Sequence, residues 1–405
     1  MATRTQLCRL PSPVSRLPFP IGATVTQLQL SRDPYALFRR LREREPVSWV
    51  PALGQWLVTS RDLGMEVLRD PERFRTDDPT SPIRDTFGAQ MLSCEGEQQR
   101  RYKSACAAPF KAHAVDASRS MVQGIVDTAA LRLPRSAPVE LRAAFAAPVA
   151  VATIARVIGL PAELDAQLRS WYETFADALM NYARDSATRT RAHDSVLAFR
   201  DAIQPRLDRP GVHERALLDI LARANPRLLD DGEIGSNALI ILFGGIETTE
   251  ALIANALWAL LTHPDALDRA RTSDQVLDRC VEESLRWETA VQTCTRFVLM
   301  PTSLGAVELP RGALVQVMLG AMNRDPAHWI DPDRFDPRRT EPVAHTAFGF
   351  GRHFCLGAAL ARCEARLAIR RLLDDFPAMR LDEHRSTPPW GHEFRKPDAL
   401  VVTLG

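Results

Sequence analysis

The 405-residue chain has almost no excess of either charge: 51 basic against 50 acidic side chains leave +1 with histidine neutral. Nucleic-acid binders ordinarily carry a large basic excess or a clustered basic stripe, so that class is excluded. No run reaches the roughly 18 consecutive apolar residues that a spanning helix needs, so no membrane anchor is expected. The seven cysteines are too few and too scattered for a framework, at Cys8, Cys94, Cys106, Cys280, Cys294, Cys355 and Cys363. The odd number excludes a disulfide scaffold, and no close pair repeats at zinc spacing. They fit a reducing, cytoplasmic setting in which most thiols are passive small hydrophobes. Internal repeats and low-complexity linkers are missing as well, so a single domain over 33–405 is expected although the length would allow two or three. Acidic residues are absent before Asp33, while Arg4, Arg9, Arg16 and Arg32 are present. Pro11, Pro13, Pro18 and Pro20 would break a targeting helix there, so residues 1–32 read as a loosely ordered lead-in.

What is present is ordinary globular material, 45% hydrophobic and 25% charged. The pattern over 34–45 predicts an amphipathic helix opened by Asp33, with Leu37, Phe38 and Leu41 on one face. Residues 47–58 alternate as a short strand pair, and 75–90 read as a long polar loop of the kind that often carries function. From about 95 to 263 the pattern is almost continuously helical. The fold class is mainly α with small β-sheets.

One long helix carries an anomaly. Asp230 and Glu233 form a capping box, and the helical pattern runs on until His263-Pro264 stops it, about 45 Å later. Its centre is apolar on all sides, which means burial. Yet Gly244 and Gly245 give up roughly 2 kcal/mol of helix propensity, and Glu247 places a carboxylate among apolar residues. Thr248 and Thr249 follow with hydroxyls that compete for backbone carbonyls. Two readings stay open: a glycine pair where another helix crosses closely, or a gap through which something large and flat meets the backbone, with Glu and Thr handling protons beside it.

The second anomaly is Phe348-Gly349-Phe350-Gly351-Arg352-His353-Phe354-Cys355-Leu356-Gly357, a glycine-punctuated loop running into a helix over 356–376. A cysteine at a helix start feels the positive end of the dipole, which favours thiolate. A dinucleotide fingerprint would need Gly where Phe354 stands, zinc lacks a second ligand pair, and His353 is badly placed to activate the thiol as a nucleophile. What remains is a lone thiolate ligating a planar cofactor, the haem-thiolate arrangement.

These segments resemble the cytochrome P450 monooxygenases, and the resemblance spans nearly the whole chain. FGFGRHFCLG is similar to that family's haem loop, FGGIETT to its oxygen-activation motif, and Glu283-Ser284-Leu285-Arg286 to its E-x-x-R; Asn323-Arg324-Asp325-Pro326 with FDPRR at 335–339 looks like its meander. The resemblance implies the cytochrome P450 fold, with the long helix over haem b. It makes Cys355 the iron ligand and Glu247 and Thr248 the acid and alcohol that deliver protons to O2. Phe348, Gly349, Gly244 and Gly245 would contact the haem, His353 and Arg296 its propionates, and Arg339 would join Glu283 and Arg286 in a structural ion pair. Gln99 and Lys103 stand where bacterial members often have a His and an Arg on the propionates; Lys still neutralises a carboxylate, but the bidentate fork is lost. Glu288 to Gln292 replace the usual Pro-rich turn.

The implied reaction is insertion of one oxygen atom of O2 into a C–H bond of a mainly apolar small molecule, a terpenoid, steroid, polyketide or aromatic compound. Oxidative coupling, epoxidation or desaturation on the same site, and a non-catalytic haem ligand sensor, are the alternatives. Electrons would come from a separate ferredoxin or flavodoxin with its reductase, docking on a basic face formed by Arg100, Arg101, Lys103, Arg352, Arg362 and Arg366. By the same analogy the substrate would meet Ile83, Arg84, Phe87, Leu239, Phe243, Val291, Gln292 and Phe394.

Overall fold

One helix organises the protein in the computed structural model, which describes residues 18–135, 137–179, 185–211, 215–341 and 343–405; Arg4, Arg9 and Arg16 lie outside them. Asp231–Leu261 is that helix. Glu233 N donates to Asp230 Oδ1 at 2.7 Å and Asp230 N donates back to Glu233 Oε2 at 3.1 Å, so the capping box closes as the sequence implies. By length and composition it could cross a membrane, but 78% of its most apolar stretch is buried inside the protein, which makes it the core helix. It packs against Ala147–Ile158, Asp274–Trp287 and Ala358–Asp375, and these helices share one continuous apolar core.

The small sheets frame that core. Five strands lie in the order Val47–Val50, Gln55–Val58, Leu314–Met318, Thr293–Val298, Phe74–Arg75. Gln55–Val58 runs parallel to Leu314–Met318, so the chain between them must cross over, and it does so through most of the helical part. The sheet seals its own apolar cluster with Val47, Val58, Val315 and Val317. Near the C-terminus, Val401–Thr403 pairs with Val139–Glu140 and with Arg380–Leu381.

Several boundaries differ from the sequence reading. The described part of the lead-in is helical at Gly22–Thr24 and at Gln27–Arg32, the latter closed by a capping box from Thr26. The first long helix is Tyr35–Arg44 without a side-chain cap; Asp33 instead accepts from Tyr35 N at 3.3 Å, just outside it. The polar loop over 75–90 contains the helix Pro82–Phe87, started by Ser81 and a proline in its first turn. The cysteine-side helix starts only at Ala358, because Cys355 to Gly357 are still turning.

Candidate active site

The cysteine loop turns on two glycines in the left-handed region, Gly349 at φ 69° and Gly351 at φ 71°. Cys355 N then donates to Phe348 O at 2.9 Å, which closes the loop on itself. Cys355 faces a cavity of about 280 Å³ whose walls are mostly aliphatic and aromatic. Burial pushes its thiol up from the ordinary value, against a hydrogen bond from Gly357 N–H and the charges of Lys103 and Arg362. In the protein alone burial outweighs these groups, and a metal cation on the sulfur would add its own pull toward thiolate.

The opposite wall is the central helix. Gly244, Gly245, Thr248 and Thr249 all line the cavity. The two glycines have different reasons. A Cβ on Gly245 would fall 2.5 Å from Ile154 Cγ1, so this glycine permits the close crossing of Ala147–Ile158. A Cβ on Gly244 would meet nothing within 4 Å. Gly245 thus serves the helix crossing, while Gly244 leaves open space on the cavity wall. Thr248 Oγ1 donates to Gly244 O at 2.6 Å, fixing a hydroxyl over that open space.

The rim is polar. His353 Nε2 lies 3.0 Å from Glu95 Oε1 and 3.3 Å from Thr76 Oγ1. Burial lowers the His353 pKa, Glu95 raises it, and the charges of Arg296 and Lys103 lower it further, so all four groups sit together. Arg296 is buried on its strand and donates to Thr295 O at 2.9 Å. Among the described residues no three His, Cys, Asp or Glu side chains could cage a metal ion. A metal on Cys355 would need its other ligands from a macrocycle. A slot with apolar walls, a free gap at Gly244, the Cys355 thiol with Cys294 also on the wall, and cations at the rim fits an iron porphyrin with anionic side groups.

The cytochrome P450 profile matches residues 179–393, just over half of the chain. Cytochrome P450 monooxygenase PikC of Streptomyces venezuelae is 36% identical over 371 residues, covering 86% of this chain and 85% of that protein. The chain belongs to the cytochrome P450 family. The 6-deoxyerythronolide B hydroxylase of Saccharopolyspora erythraea is 31% identical and covers 92% of this chain and 96% of its own. The structure of P450BioI in complex with hexadec-9Z-enoic acid ligated acyl carrier protein superposes with a TM-score of 0.83 at 28% identity, over 92% of this chain and 98% of that one. The protein is a cytochrome P450 monooxygenase, and the family implies a haem cofactor, O2 and a redox partner.

In this P450 the expected haem contacts Cys355, His353, Phe348, Gly349, Gly244, Gly245, Gln99 and Lys103 share one cavity. Gln99 and Lys103, however, spend hydrogen bonds on the loop itself: Gln99 Nε2 donates to Arg352 O at 3.0 Å, and Lys103 Nζ donates to Arg352 O at 2.6 Å and Phe354 O at 2.7 Å. Glu247 is not on the cavity wall. Its carboxylate turns away to Lys396, because neighbours on a helix point about 100° apart and Thr248 already takes the cavity side. The ion-pair triad does assemble. Arg286 grips Glu283 through two bonds of 2.7 and 2.8 Å, and Arg339 Nε adds a third at 2.9 Å.

The expected substrate contacts need correcting. Of the eight, Val291 alone lines the cavity. Gln292 is buried against the backbone, donating to Thr289 O at 2.7 Å, with its carbonyl end crowding Gly320. Arg84 is exposed and donates to Ser93 O, and Ile83 packs beside it at the edge of the core. Leu239 is core. Phe87 and Phe394 both pack on Phe243, which lies 5.9 Å from Phe87 and 5.8 Å from both Tyr172 and Phe394. They form an aromatic cluster beside the cavity, since rings gain more from mutual edge contacts than from open space.

The basic face is also smaller than its sequence count. Arg362 pairs with Glu282, Arg366 with Asp274 and Asp278, Arg101 with Glu233 and Arg352 with Glu95. Arg100 is exposed and unpaired among the described residues. Sequence reasoning missed Glu95, Thr76 and Lys396, which lie 258, 277 and 149 positions from their partners His353, His353 and Glu247. No local pattern carries such contacts. Glu250, three residues beyond Glu247 on a helix expected to be buried, was the one legible hint.

Proposed function

We propose that this P450 uses haem b to insert one atom of O2 into a C–H bond of a mainly apolar small molecule of the terpenoid, steroid, polyketide or aromatic classes. Electrons come from a separate ferredoxin or flavodoxin, in the cytoplasm. The observation that carries the reading is that Cys355 and the Thr248–Gly244 hydroxyl–carbonyl pair wall the same cavity. A relative named as a hydroxylase supports hydroxylation over the other oxidations.

Bound through Cys355, haem supplies dioxygen activation, with the thiolate pushing electron density that favours O–O cleavage. The chain's residues handle the rest. Gly244 leaves room on the cavity wall opposite Cys355, and Ile240, Ile241 and Leu252 keep that space apolar. Thr248 holds a hydroxyl there, close enough to Gly244 O that its proton has a fixed direction. Arg296 and Lys103 would offset the negative charge of the propionates, and His353 would offer them a ring N–H. Glu247 is the reserve acid behind Thr248. The exposed Arg100 with exposed Phe350 and Phe354 supports docking of the electron donor on the cysteine side.

Purified enzyme should show the thiolate-haem band in its reduced CO-difference spectrum. A compound library read by the low-spin to high-spin Soret shift then finds substrates, and isotope-labelled O2 should leave one labelled atom in the product. A haem-free protein, or a product without label, overturns the reading.

A further inference from the structure

A second cavity, of about 180 Å³, lies between the helix Tyr35–Arg44 and the segment 324–333, and it shares no lining residue with the cavity over Cys355. Its walls are of two kinds. Phe38, Pro326 and Pro332 give apolar surface, while Arg39, Arg42 and Arg324 stand against Glu43 and Asp333. Three guanidiniums and two carboxylates leave one positive charge unmatched.

The surplus falls on Arg42. Asp333 is shared by the other two arginines, 2.5 Å from Arg39 Nη2 and 3.4 Å from Arg324 Nη1. The carboxylate nearest Arg42 is Asp325, whose Oδ2 lies 3.7 Å from Arg42 Nε and already accepts from Arg61 N at 2.8 Å. Arg42 Nε and Nη2 donate instead to two backbone carbonyls, Thr59 O at 3.2 Å and Ala321 O at 2.7 Å. Its third arm, Nη1, carries no hydrogen bond among the described residues. The side chain is only 10% exposed. Burial pulls the Arg42 pKa down from its ordinary value and Arg39 adds to that pull, and the acids Asp325, Asp333 and Glu43 do not make up the difference. A guanidinium that is nine-tenths buried, short of an anion and left with a spare donor on a cavity wall is half of a binding site.

We propose that this cavity binds a small organic monocarboxylate, its carboxylate on the free arm of Arg42 and its carbon body against Phe38 and the two prolines. The charge count selects a single negative charge, since Glu43 and Asp333 repel a second one. A carboxylate also matches the plane of a guanidinium. The volume suits a body of a few carbons up to one ring, because a cavity of about 150 Å³ can hold benzene. Pro332 ties the site to the rest of the fold: it lines the cavity, and its carbonyl accepts from Arg286 Nη1 at 2.8 Å. An occupant would therefore brace the segment that Arg286 grips, and binding to the folded state alone stabilises it.

The test uses the full-length, haem-loaded enzyme with its iron saturated by imidazole, so that an added carboxylate cannot take the metal. Isothermal titration with propionate and with benzoate should give one site per chain and a Kd on the order of 1 mM, the range open to so few atoms. The Soret band should not move. Glu43→Gln removes a repelling charge and should tighten binding about threefold, whereas Arg39→Gln frees Asp333 to repel and should weaken it about as much. Both positions are exposed, so these variants keep the test decisive even where the buried Arg42→Gln fails to fold. A folded Arg42→Gln should lose about tenfold or more in affinity. Inorganic phosphate should bind more weakly than propionate, and tighter phosphate binding overturns the choice of a monocarboxylate. No uptake of propionate or benzoate up to about 50 mM, equal affinity in wild type, Arg39→Gln and Glu43→Gln, or uptake that shifts the Soret band overturns the site itself.

Discussion

Glu95 Oε1 meets His353 Nε2 at 3.0 Å beneath the cysteine loop, and the same carboxylate takes Thr76 N at 3.0 Å and Arg352 Nη1 at 3.2 Å. One acid thus ties the start of the helix Gly96–Cys106 to the segment that presents Cys355. Burial alone would raise its pKa, but His353 and Thr76 hold it at about 2.

That depression has a pH consequence. Because the folded value lies below the ordinary 4.5, Glu95 contributes stability above pH 4.5, and the contribution fades as pH falls toward 2. Glu95→Gln should cost roughly 1.5–3 kcal/mol at neutral pH, the worth of charged hydrogen bonds. Chemical denaturation from pH 7 to pH 2 should show wild type and variant converging in acid; a gap that stays constant would rule out this role.

Thr248→Ala removes the hydroxyl on Gly244 O without opening a large void. Product per electron should fall roughly tenfold or more, with the lost electrons appearing as hydrogen peroxide. Melting should change little, since a Thr back-bonded within its helix adds almost nothing to stability. Unaltered coupling in the variant would remove Thr248 from proton delivery.

The two glycines of the central helix should respond differently to alanine. Gly245→Ala drives a methyl into Ile154 and should cost about 1–3 kcal/mol in denaturant unfolding. Gly244→Ala meets open space, so the haem-free protein should keep or gain stability while haem retention after gel filtration drops. Equal effects on unfolding would show that both glycines serve packing.

Arg286 is 2% exposed and gives every arm of its guanidinium to Glu283 or to the carbonyls of Asn323, Pro332 and Arg334. Arg286→Met leaves Glu283 with Arg339 and the Asp336 N–H, and takes the guanidinium donors from the carbonyls of Asn323 and Pro332. A loss of about 3–5 kcal/mol is expected, measured by urea unfolding. A loss below about 1 kcal/mol would mean the triad is dispensable for the fold.

Much of this protein follows from local chemistry that a linear chain displays. The capping box at Asp230 and Glu233, the helix it starts, the strand pair after Val47 and the glycine-rich turn into Cys355 all depend on residues within a few positions of each other. So does the site's central ligand, since a lone cysteine behind such a turn admits few chemistries. The tertiary structure decided what distance hides. It assigned Gly245 to Ile154 and Gly244 to the cavity, sent Glu247 outward to Lys396, and gave Glu95 to His353. It also paired most of the arginines that seemed free in the sequence and folded the aromatic residues onto one another instead of onto the cavity wall. The reason is the same in each case. A buried charge or ring is satisfied by whichever group the fold brings within a few ångströms, and periodicity along the chain carries no record of that partner.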